Sequence, residues 1–532
     1  MVRLLHELVI ERANRHPTAT AIVHRQAMLD YAALAQQIRA TANGLLACGL
    51  NRGERVAIYL PKRLETVEAL FGTTLAGGVF VPVNPLLKPE QVVYILRDCN
   101  VRILITTRDR AELLAPMLAD CPDLHSVVLV DQDSSSALHR NTGHLQVLGW
   151  PTLLAVDCSR LPARMIDVDM AAILYTSGST GKPKGVVLSH RNMLTGAYSV
   201  AEYLGNRAED RILAVLPFSF DYGLSQLTTA FVAGARVVLM DYLLPRDVVV
   251  MVAREGITGL AAVPPMWVQL AQMDWPAAAV NSLRYLTNSG GAMPRTTLAT
   301  LRRALPKTTP FLMYGLTEAF RSTYLPPEEI DCRPDSIGKA IPNAEILVVH
   351  EDGSPCAPGE PGELVHRGSL VALGYWNDPV KTAERFRPVP GQHTGLPLAE
   401  LAVWSGDTVR TDEDGFLYFV GRKDDMIKTS GYRVSPTEIE EVLYGSGQVA
   451  EAAALGIPHP ALGQAVVAVI KPLREDLGES ELINHCKQHL PNFMVPLQIV
   501  TRQTDLPRNP NGKIDRKALA GELHDLFPEN AS

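Results

Sequence analysis

Short runs of Val, Ile and Leu alternate with helix-length segments along the first two-thirds of the chain. Because strands of a parallel sheet are covered on both faces, they form continuous apolar runs without polar alternation. Residues 62–76, which follow one such run, carry apolar positions at helical spacing. Strands separated by helices predict βαβ units, so we expect one or two doubly wound sheets before about residue 334. The predicted strands lie at residues 56–60, 101–106, 126–130, 211–216, 235–240 and 258–263.

The pattern changes beyond residue 338. Apolar runs become shorter and turn signals become denser through residues 338–420, which predicts a small antiparallel β unit. Residues 421–425 are charged and contain a glycine, so they form a candidate linker. Residues 131–164 are polar and irregular, and we expect them to form a surface excursion. The chain after the linker predicts a small α+β domain, with helices at 436–444 and 482–490 and a strand at 466–470.

Composition places the chain among ordinary globular proteins. It has 532 residues, and 50 Lys and Arg against 57 Asp and Glu give a formal net charge of −7. This weak acidity argues against a nucleic-acid partner, which needs a basic face. No apolar run predicts a membrane span, and Glu7 and Glu11 disfavour a signal peptide. Seven scattered cysteines without a CxxC pair indicate reduced thiols and a cytoplasmic location.

The sharpest local signal is the segment TSGSTGKPKG at residues 176–185, which follows a predicted buried strand. Its glycines allow backbone N–H groups to turn inward around an anion. Hydroxyl side chains add further donors, and Lys182 and Lys184 add positive charge. The segment differs from the Walker A pattern because Pro183 follows Lys182 and the glycines are too closely spaced. We therefore expect it to bind a polyphosphate, whereas the simpler interpretation is a flexible polar loop.

This segment resembles the phosphate-loop signature of the AMP-forming adenylating enzymes, which include acyl-CoA synthetases, amino-acid adenylation domains and luciferases. The other motifs of that family follow in order along nearly the whole chain, and the set as a whole is highly specific. These motifs are YGLTE at 314–318, GEL at 362–364 continuing to GYW at 374–376, SGD at 405–407, GRKDD at 421–425 with Lys428, GYR at 431–433 and PNGK at 510–513.

The resemblance implies an ATP-dependent ligase that joins a small carboxylic acid to AMP with release of pyrophosphate. The acyl or aminoacyl adenylate is then captured as a thioester by coenzyme A or by the phosphopantetheine of a separate carrier protein, and Mg²⁺ is an implied cofactor. The implied fold is α/β, with a large adenylate-forming domain over residues 1–420 whose β-rich part lies at about 338–420. A hinge at 421–425 and a small, mobile α+β lid at 426–532 complete it.

Lys513 is the residue that the resemblance places between the two reacting anions. A carboxylate and a phosphate repel each other by about 4 kcal/mol per pair of unit charges at 4 Å and a dielectric constant near 20, so the site needs cations. In the resembling enzymes the lysine of this motif bridges the carboxylate and the α-phosphate. The simpler interpretation is a solvated tail lysine near Arg516 and Lys517, and the motif match outweighs it.

Further residues carry over from the family to the nucleotide. Glu318 matches the Mg²⁺ partner, with Thr317 beside it on the phosphate, since a carboxylate and substrate phosphates usually hold this ion together. Tyr314 matches the residue that stacks on adenine, with a core tyrosine as a serious alternative. Asp407 matches the aspartate that accepts both ribose hydroxyls, with a turn residue as the alternative. The other implied ATP/AMP positions are Thr176, Ser177, Gly178, Ser179, Thr180, Gly181, Lys184, Gly290, Gly291, Ala292, Gly315, Phe419 and Arg433.

The linker and the lid carry four of the implied roles. Arg422 matches an arginine that contacts ribose or phosphate, and Asp424 matches the hinge. A lid that turns about this hinge exchanges the adenylating lysine for a thiol channel. Gly431 lines that channel in the resembling enzymes, where the missing side chain allows close approach. Arg433 faces either the phosphates of the second substrate or the surface.

One segment departs from the fatty-acid-type members of the family. They often carry an aromatic–His pair where this chain has Phe220 and Asp221, which resembles the Phe–Asp pair of amino-acid-activating members. In those members the aspartate pairs with the ammonium group of the substrate, and an aspartate in an apolar pocket is costly unless it is paired. Asp221 therefore predicts an amino-bearing acid, and an equally weighted alternative is that it caps the following helix.

The remaining matched positions of the acid pocket form a polar set that contains one cation, Arg321. Such a set fits a small or polar acid, including one that carries both charges, better than it fits a long alkyl chain. In the two simpler interpretations Arg321 pairs with Asp221 or points to solvent. The other members of the set are Tyr222, Ser225, Thr287, Ser289, Met313 and Ser322.

Two other functions stay open at this point. The first is a catalytically idle nucleotide-binding or sensor protein on the same scaffold, which the intact Lys513, Glu318 and Asp407 disfavour. The second is an oxidative, luciferase-like enzyme, which the polar pocket disfavours because it suits a large aromatic substrate poorly. The leading hypothesis is the acid–thiol ligase, with a structural role for His190.

Overall fold

A computed structural model gives the fold of residues 2–131, 145–158, 160–176, 182–241, 243–392, 395, 397–422, 426–474, 477–507 and 514–528. It consists of a large N-terminal domain and a small C-terminal domain, both mixed in helix and strand, so the predicted α/β fold class is confirmed. The predictions for residues 177–181, Asp424 and Lys513 lie outside the described residues.

Together with further strands that the apolar runs do not predict, the strands of the N-terminal domain include one at each run that predicts a strand, because burial on both faces selects continuous Val, Ile and Leu. They are β1 (Thr20–His24), β2 (Ala27–Asp30), β3 (Arg55–Tyr59), β4 (Val79–Pro82), β5 (Val101–Thr106), β6 (Ser126–Leu129), β7 (Gln146–Gly149), β8 (Met170–Thr176), β9 (Lys184–Ser189), β10 (Arg211–Ala214), β11 (Arg236–Leu239), β12 (Gly259–Ala262), β13 (Tyr285–Asn288), β14 (Thr309–Tyr314), β15 (Thr323–Leu325), β16 (Ser336–Ala340), β17 (Ala344–Val349), β18 (Gly362–Gly368), β19 (Gly374–Tyr375), β20 (Phe386–Pro388), β21 (Leu401–Thr411) and β22 (Leu417–Arg422).

Helices connect these strands, and several begin at residues that suit a helix start. Asp30 caps α2 by accepting from the backbone N–H of Ala33, and Ser189 caps α7 in the same way from Asn192. The helices of this domain are α1 (Glu7–Arg15), α2 (Tyr31–Ala47), α3 (Leu64–Leu75), α4 (Pro89–Asp98), α5 (Arg108–Leu114), α6 (Trp150–Leu154), α7 (His190–Tyr203), α8 (Asp221–Ala233), α9 (Pro245–Glu255), α10 (Pro264–Leu270), α11 (Ala277–Ser282), α12 (Arg295–Ala304) and α13 (Pro379–Arg385).

Two large sheets form the N-terminal domain. In the first sheet, neighbouring strands β8, β4, β3, β5, β6 and β7 run parallel. Strand β9 pairs antiparallel with β8, and β19 pairs antiparallel with β9. In the second sheet, β14, β13, β12, β10, β11 and β1 run parallel. Helix α3 of the first sheet packs on helix α8 of the second. At this contact the buried rings of Phe71 and Phe231 meet edge to face, with 5.4 Å between the ring centroids.

The predicted antiparallel unit is confirmed for residues 338–420. Strands β16, β22, β21, β18 and β17 pair antiparallel in that order. They are continuous with the second large sheet, because β15 pairs with both β14 and β16. The unit is therefore an extension of the larger sheet, and it carries Asp407 towards the carboxyl ends of the parallel strands.

The prediction of an irregular surface excursion over residues 131–164 is wrong for residues 146–154. Strand β7 pairs in parallel with β6, and α6 follows it directly. The physical reason is burial, since Val147, Leu148, Trp150 and Leu153 all lie in the core. Four apolar side chains outweigh the polar residues that surround them in the sequence.

The C-terminal domain is a small α+β unit, as predicted. Its strands β25 and β26 form a long antiparallel pair, and β27 joins β26 in parallel. No helix among the described residues combines the length and the apolar character needed to cross a membrane. The elements of this domain are β23 (Ile427–Thr429), β24 (Tyr432–Val434), α14 (Pro436–Gly445), β25 (Val449–His459), β26 (Gly463–Pro472), α15 (Glu479–His489), β27 (Gln498–Thr501) and α16 (Arg516–Glu522).

Glu438 in α14 connects the two domains. Its Oε1 accepts a hydrogen bond of 2.8 Å from Nε2 of Gln91 in α4, and its Oε2 has no partner among the described residues. Burial raises the pKa of Glu438 from 4.5 to about 7. The protonated side chain of Glu438 therefore contributes fully to the stability of the folded protein below pH 4.5, the ordinary pKa of a glutamate. This contribution is lost as the pH rises through about 7.

We expect Glu438→Gln, which keeps the acceptor for Gln91 and removes the charge, to reduce the loss of stability between about pH 5.5 and pH 8. The reduction should be about 1 to 2 kcal/mol in the free energy of unfolding, because one pKa unit corresponds to about 1.4 kcal/mol. Urea unfolding at both pH values measures it. Glu479→Gln, at an exposed position of α15 in the same domain, is the control. Equal pH dependence in wild type and Glu438→Gln would contradict this account.

Candidate active site

A cavity of about 730 Å³ lies where strands of both large sheets end and the C-terminal domain closes over them. Thr176 ends β8, Tyr314 ends β14, and Ser289 directly follows β13, and all three residues line the cavity. Gly431 and Tyr432 line it from the C-terminal domain. In open α/β sheets, ligands bind at the carboxyl ends of the strands, so the cavity is the candidate active site.

The predicted phosphate segment begins and ends beside this cavity. Thr176 and Pro183 line it, and the Lys184 Nζ lies 5.5 Å from the ring centroid of Tyr375. Burial, followed by the charge of nearby Lys381, lowers the pKa of Lys184. Lys184 is therefore a cation that is partly withdrawn from water. Its attraction for an anion beside it is stronger there than in bulk water, because the local dielectric constant is lower. Phosphate binding by residues 177–181 stays a prediction.

Thr317 and Glu318 lie in one turn of 3₁₀ helix directly after β14. Glu318 is buried, and its Oε1 accepts a hydrogen bond of 2.5 Å from the Tyr375 hydroxyl. Burial raises the pKa of Glu318, but Arg385, the Tyr375 hydroxyl and Arg433 together outweigh burial and bring the pKa below its ordinary value. Carboxylate oxygens are ligands that Mg²⁺ takes in proteins, so Glu318 fits that ion.

Tyr314 and Asp407 form a pair on the wall of the cavity. Oδ2 of Asp407 accepts a hydrogen bond of 2.5 Å from the Tyr314 hydroxyl, and the Asp407 backbone N–H donates to Ser405 Oγ at 3.1 Å. Tyr314 is half-buried and lines the cavity, so it is not simply a core tyrosine. Asp407 lies within β21 and not in a turn. An aromatic ring held beside a buried carboxylate fits the base and ribose of a nucleotide.

The other predicted nucleotide positions lie at the same cavity where the structure describes them. Gly315 is tightly packed, since a Cβ there would lie 3.0 Å from Cα of Arg321. Arg422 ends β22, and its side chain, Asp424 and Lys513 are outside the described part of the chain. The cavity is also lined by Gly290, Gly291, Ala292, Phe419 and Arg433.

Gly431 brings the C-terminal domain against the acid end of the cavity. Its φ is +82°, and a Cβ on it would lie only 2.8 Å from the Cβ of Val263. Its carbonyl oxygen lies 3.7 Å from the position that a Cβ on Gly290 would take. Arg433, two residues further on, lines the cavity. Its charge helps to lower the pKa of Glu318 and opposes the rise that burial causes in the pKa of Asp221. The interpretation of Arg433 as a surface residue is therefore wrong.

The predicted acid-pocket residues divide into two groups. Five of them line the large cavity, whereas Tyr222, Ser225 and Thr287 line a separate cavity of about 10 Å³ behind it. The Tyr222 hydroxyl and Thr287 Oγ1 bond to each other at 2.5 Å. The second cavity has room for about one water molecule, so the acid pocket is shallow. The five residues that line the large cavity are Phe220, Asp221, Ser289, Met313 and Arg321.

Asp221 begins α8 but does not cap it, because the N-cap position is held by Phe220. The first turn of this helix approaches the preceding turn closely, since a Cβ on Gly223 would lie 2.0 Å from the carbonyl oxygen of Pro217. Burial raises the pKa of Asp221, and the charge of Arg321 opposes this rise. A buried carboxylate that lines a cavity favours a cationic or donor group on the ligand.

Arg321 is buried, with 2% of its surface exposed, so it does not point to solvent. Its Nη1 donates to Ser289 Oγ at 3.0 Å, and its guanidinium carbon lies 4.8 Å from the ring centroid of Tyr222. The neighbouring Ser322 does not line the cavity; its hydroxyl bonds to His366 Nδ1 at 2.9 Å. The pocket therefore ends at a charged side chain.

Two residues of the site are not identifiable from the sequence. Tyr375 belongs to the GYW motif, which by itself assigns no role to the tyrosine, and it contacts Glu318 directly. Arg385, at the end of α13, gives no sequence signal because its pairing arises across the fold. His190 is structural, as predicted: it is buried, and its Nδ1 accepts from the Leu5 backbone N–H at 3.0 Å.

Known relatives and solved structures have this fold. The chain is 32% identical to the L-proline–[L-prolyl-carrier protein] ligase of Pseudomonas fluorescens, over 98% of this chain and 100% of that one. It is 30% identical, over 97% of its own length, to part of a linear gramicidin synthase of Brevibacillus parabrevis, and it spans 10% of that protein's length. The o-succinylbenzoate CoA synthetase of Bacillus subtilis, bound with its product analogue, matches with a TM-score of 0.81 at 26% identity, over 96% of this chain and 97% of that one. The same synthetase in complex with its acyl-adenylate intermediate matches with a TM-score of 0.67, also at 26% identity, over 96% of this chain and 97% of that one.

The family assignment rests on the sequence as a whole. Residues 9–376 match the AMP-binding enzyme family, and residues 438–513 match the AMP-binding enzyme C-terminal domain. The first match alone covers more than half of the 532 residues, and it contains the cavity residues from Pro82 to Ile337. The second match lies in the domain that carries Glu438. The chain therefore belongs to the AMP-binding enzyme family, as the resemblance to AMP-forming adenylating enzymes predicts.

Proposed function

We propose that this protein is an ATP-dependent acid–thiol ligase that activates a small, polar, amino-bearing carboxylic acid. It forms the acyl or aminoacyl adenylate with release of pyrophosphate, and then a thioester with coenzyme A or with the phosphopantetheine of a carrier protein. One observation carries the proposal: Tyr314, Thr317 and the buried Asp221 line one cavity, Asp407 bonds to Tyr314, and Glu318 directly follows Thr317. Membership in the AMP-binding enzyme family supports the reaction class.

The chemistry explains why one site needs both charges and donors. In the first step a carboxylate oxygen bonds to the α-phosphorus of ATP, and pyrophosphate leaves. In the second step a thiol sulfur bonds to the carbonyl carbon, AMP leaves, and the thiol proton passes to water. The first step brings two anions together, so preorganised cations and N–H donors must offset their repulsion.

In this proposal the nucleotide lies along the carboxyl ends of the strands. Asp407 accepts from the ribose hydroxyls and orients Tyr314 beside the base, while Thr176 and Lys184 face the phosphates. Glu318, with Thr317, would hold Mg²⁺, which when bound neutralises phosphate charge. The low pKa of Glu318 keeps this carboxylate ionised and ready to bind a cation.

The C-terminal domain acts in both steps by changing position about a hinge at Asp424. Lys513 bridges the reacting anions in adenylation, and Gly431 lines the thiol channel afterwards. The better match to the synthetase bound with its product analogue than to its acyl-adenylate complex, with TM-scores of 0.81 and 0.67, supports the thiol-step arrangement for this structure. The close packing of Gly431 against Val263 supports it as well.

Asp221 is the reason why this proposal assigns an amino group to the substrate acid. Its carboxylate is buried at the acid end of the cavity, where an ionised side chain is unfavourable without a positive partner. An ammonium group on the substrate supplies such a partner from the cavity side. Coenzyme A and a carrier protein are both retained as acceptors, and the seven free thiols support a cytoplasmic location.

We expect Lys513→Ala to reduce acid-dependent exchange of pyrophosphate into ATP by about 1,000-fold. A loss of about 4 kcal/mol of charge compensation corresponds to that factor. Lys517→Ala, four positions further along the chain, is the matched control and should leave exchange nearly unchanged. Exchange that survives in Lys513→Ala would refute the role of this lysine, and absence of exchange in wild type with every acid would refute the ligase.

We expect amino acids to support exchange and short acids without an amine to support it poorly. Asp221→Asn should reduce exchange with amino acids by about 100-fold or more, because removing one partner of a buried pair costs about 3 kcal/mol. The measurement is a panel of both classes of acid, run with and without coenzyme A to identify the acceptor. Exchange with plain acids but not with amino acids would contradict the role of Asp221.

We expect Gly431→Ala to preserve pyrophosphate exchange and to slow thioester formation. The added Cβ would meet Val263, so the C-terminal domain cannot seat against the acid pocket. Gly447→Ala is the matched control, because Gly447 also has a positive φ of 67° in the same domain but has open space around it. Single-turnover thioester formation is the measurement. Equal slowing by both variants would show backbone strain and not a blocked channel.

A further inference from the structure

Arg321 is a buried cation with unused hydrogen-bonding capacity. Only 2% of its surface is exposed, and its Nη1 donates to Ser289 Oγ. Its Nε and Nη2 have no hydrogen-bond partner among the described residues. A guanidinium has five N–H donors and keeps its charge at any physiological pH. Leaving such donors unpaired in the protein interior is costly, so this side chain requires a partner from elsewhere.

Among the described residues, the large cavity is the space beside Arg321 that has room for a substrate. Arg321 and Met313 line both the large cavity and the cavity of about 10 Å³ behind it. The smaller cavity has room for about one water molecule, and the ring of Tyr222 covers the guanidinium at 4.8 Å. The guanidinium is therefore the floor of the acid pocket, and a ligand reaches it from the large cavity.

The backbone holds Arg321 in this position at a cost. Phe320, the preceding residue, has φ +58° and ψ −62°, and the Arg321 N–H donates to the carbonyl oxygen of Ala319 at 2.7 Å. This is a γ-turn of the rare, strained kind. The buried Phe320 ring packs tightly on Gly196, where a Cβ would lie 2.3 Å from Phe320 Cδ1. Backbone strain of this kind persists where the surroundings enforce it, often at ligand sites.

Asp221 does not satisfy the guanidinium. Within the described residues, no carboxylate forms an ion pair with Arg321 at 4.0 Å or less. The charge of Arg321 nevertheless opposes the rise that burial causes in the pKa of Asp221. The two free donors, Nε and Nη2, lie on one edge of the planar group. That edge matches the two oxygens of one carboxylate, which it binds through two parallel hydrogen bonds. A side-chain amide offers only one acceptor oxygen, and an alkyl group offers none.

We propose that the acid activated by this protein carries a second carboxylate, which Arg321 binds at the floor of the acid pocket. The inference rests on the proposed ligase function and names its substrate class: a short amino dicarboxylic acid. The ammonium group faces Asp221, the second carboxylate faces Arg321, and the first carboxylate is left to react. Each buried charge of the pocket then has an opposite charge on the substrate, and the shallow pocket limits the chain to a few carbons.

The test is pyrophosphate exchange with two matched series of amino acids. One series is aspartate, asparagine and 2-aminobutyrate, and the other is glutamate, glutamine and norvaline. We expect kcat/KM for one of the dicarboxylic members to exceed that of its apolar isostere by about 100-fold or more, because the isostere leaves buried donors unpaired. Equal use of the isostere, or a preference for the amide, overturns the inference.

Arg321→Met provides the second arm, since methionine keeps most of the length and removes the charge. We expect it to reverse the preference, with the apolar isostere used better than the dicarboxylic acid. Arg303→Met, at an exposed arginine that bonds to Thr300 Oγ1, is the matched control and should keep the wild-type preference. An unchanged preference in Arg321→Met overturns the inference. If that variant does not fold, Arg321→Lys replaces it, and we expect a preference reduced by about tenfold.

Calorimetric titration of the wild-type protein with the same acids separates the two levels of the proposal. If only apolar amino acids support exchange, the inference of a second carboxylate on the substrate is refuted, whereas the proposed ligase function still holds. A second outcome is that a dicarboxylic amino acid binds to the wild-type protein, binds at least tenfold more weakly to Arg321→Met, and supports no exchange. That outcome supports the carboxylate site at Arg321 and refutes the proposed ligase function. If the protein shows no binding of any dicarboxylic member and no exchange with any of them, the inference is overturned.

Discussion

Three carboxylates at or next to one cavity are almost completely withdrawn from water. Asp221 lines the cavity, Asp407 bonds to the lining residue Tyr314, and Glu318 follows the lining residue Thr317. Ions buried in a medium of low dielectric are unfavourable unless charges and hydrogen bonds of the opposite kind surround them. The compensation differs at each one. Glu318 has the Tyr375 hydroxyl and arginines around it, whereas Asp221 has an arginine that is not in contact with it. Among the described residues, the first therefore has direct hydrogen-bond compensation from a neighbouring side chain, and the second has compensation from arginine only at a distance.

The fold meets this requirement by bringing distant segments to one edge. The parallel strands of both large sheets end at the cavity, the antiparallel extension carries Asp407 to the same edge, and the C-terminal domain adds Arg433 from above. Because Gly431 has no side chain, the C-terminal domain approaches closely enough for Arg433 to act on buried carboxylates. Charge compensation at these carboxylates therefore depends on the contact between the two domains.

Much of the site could be predicted from the sequence, for reasons that are local. Glu318, Asp407 and Gly431 lie within short motifs, so their neighbourhood in the chain identifies them. Tyr375 and Arg385 could not be found in this way, because each acts through a contact that forms only when β19 and α13 pack beside the turn after β14. The division of the acid pocket into a shallow cavity and a sealed one was equally invisible, since it depends on where Arg321 and Met313 lie in space.

The sequence by itself determined the succession of strands and helices and the chemical types available to the site. Apolar periodicity reports burial on one or both faces of an element, and motifs report chemistry within a few residues. Only the tertiary structure decided which charges compensate one another and which stay open to a ligand. Residues 146–154 show the same limit in the fold, where a polar stretch became strand and helix because four apolar side chains reached the core. Compensation and burial depend on distances between segments far apart in the chain, and those distances arise on folding.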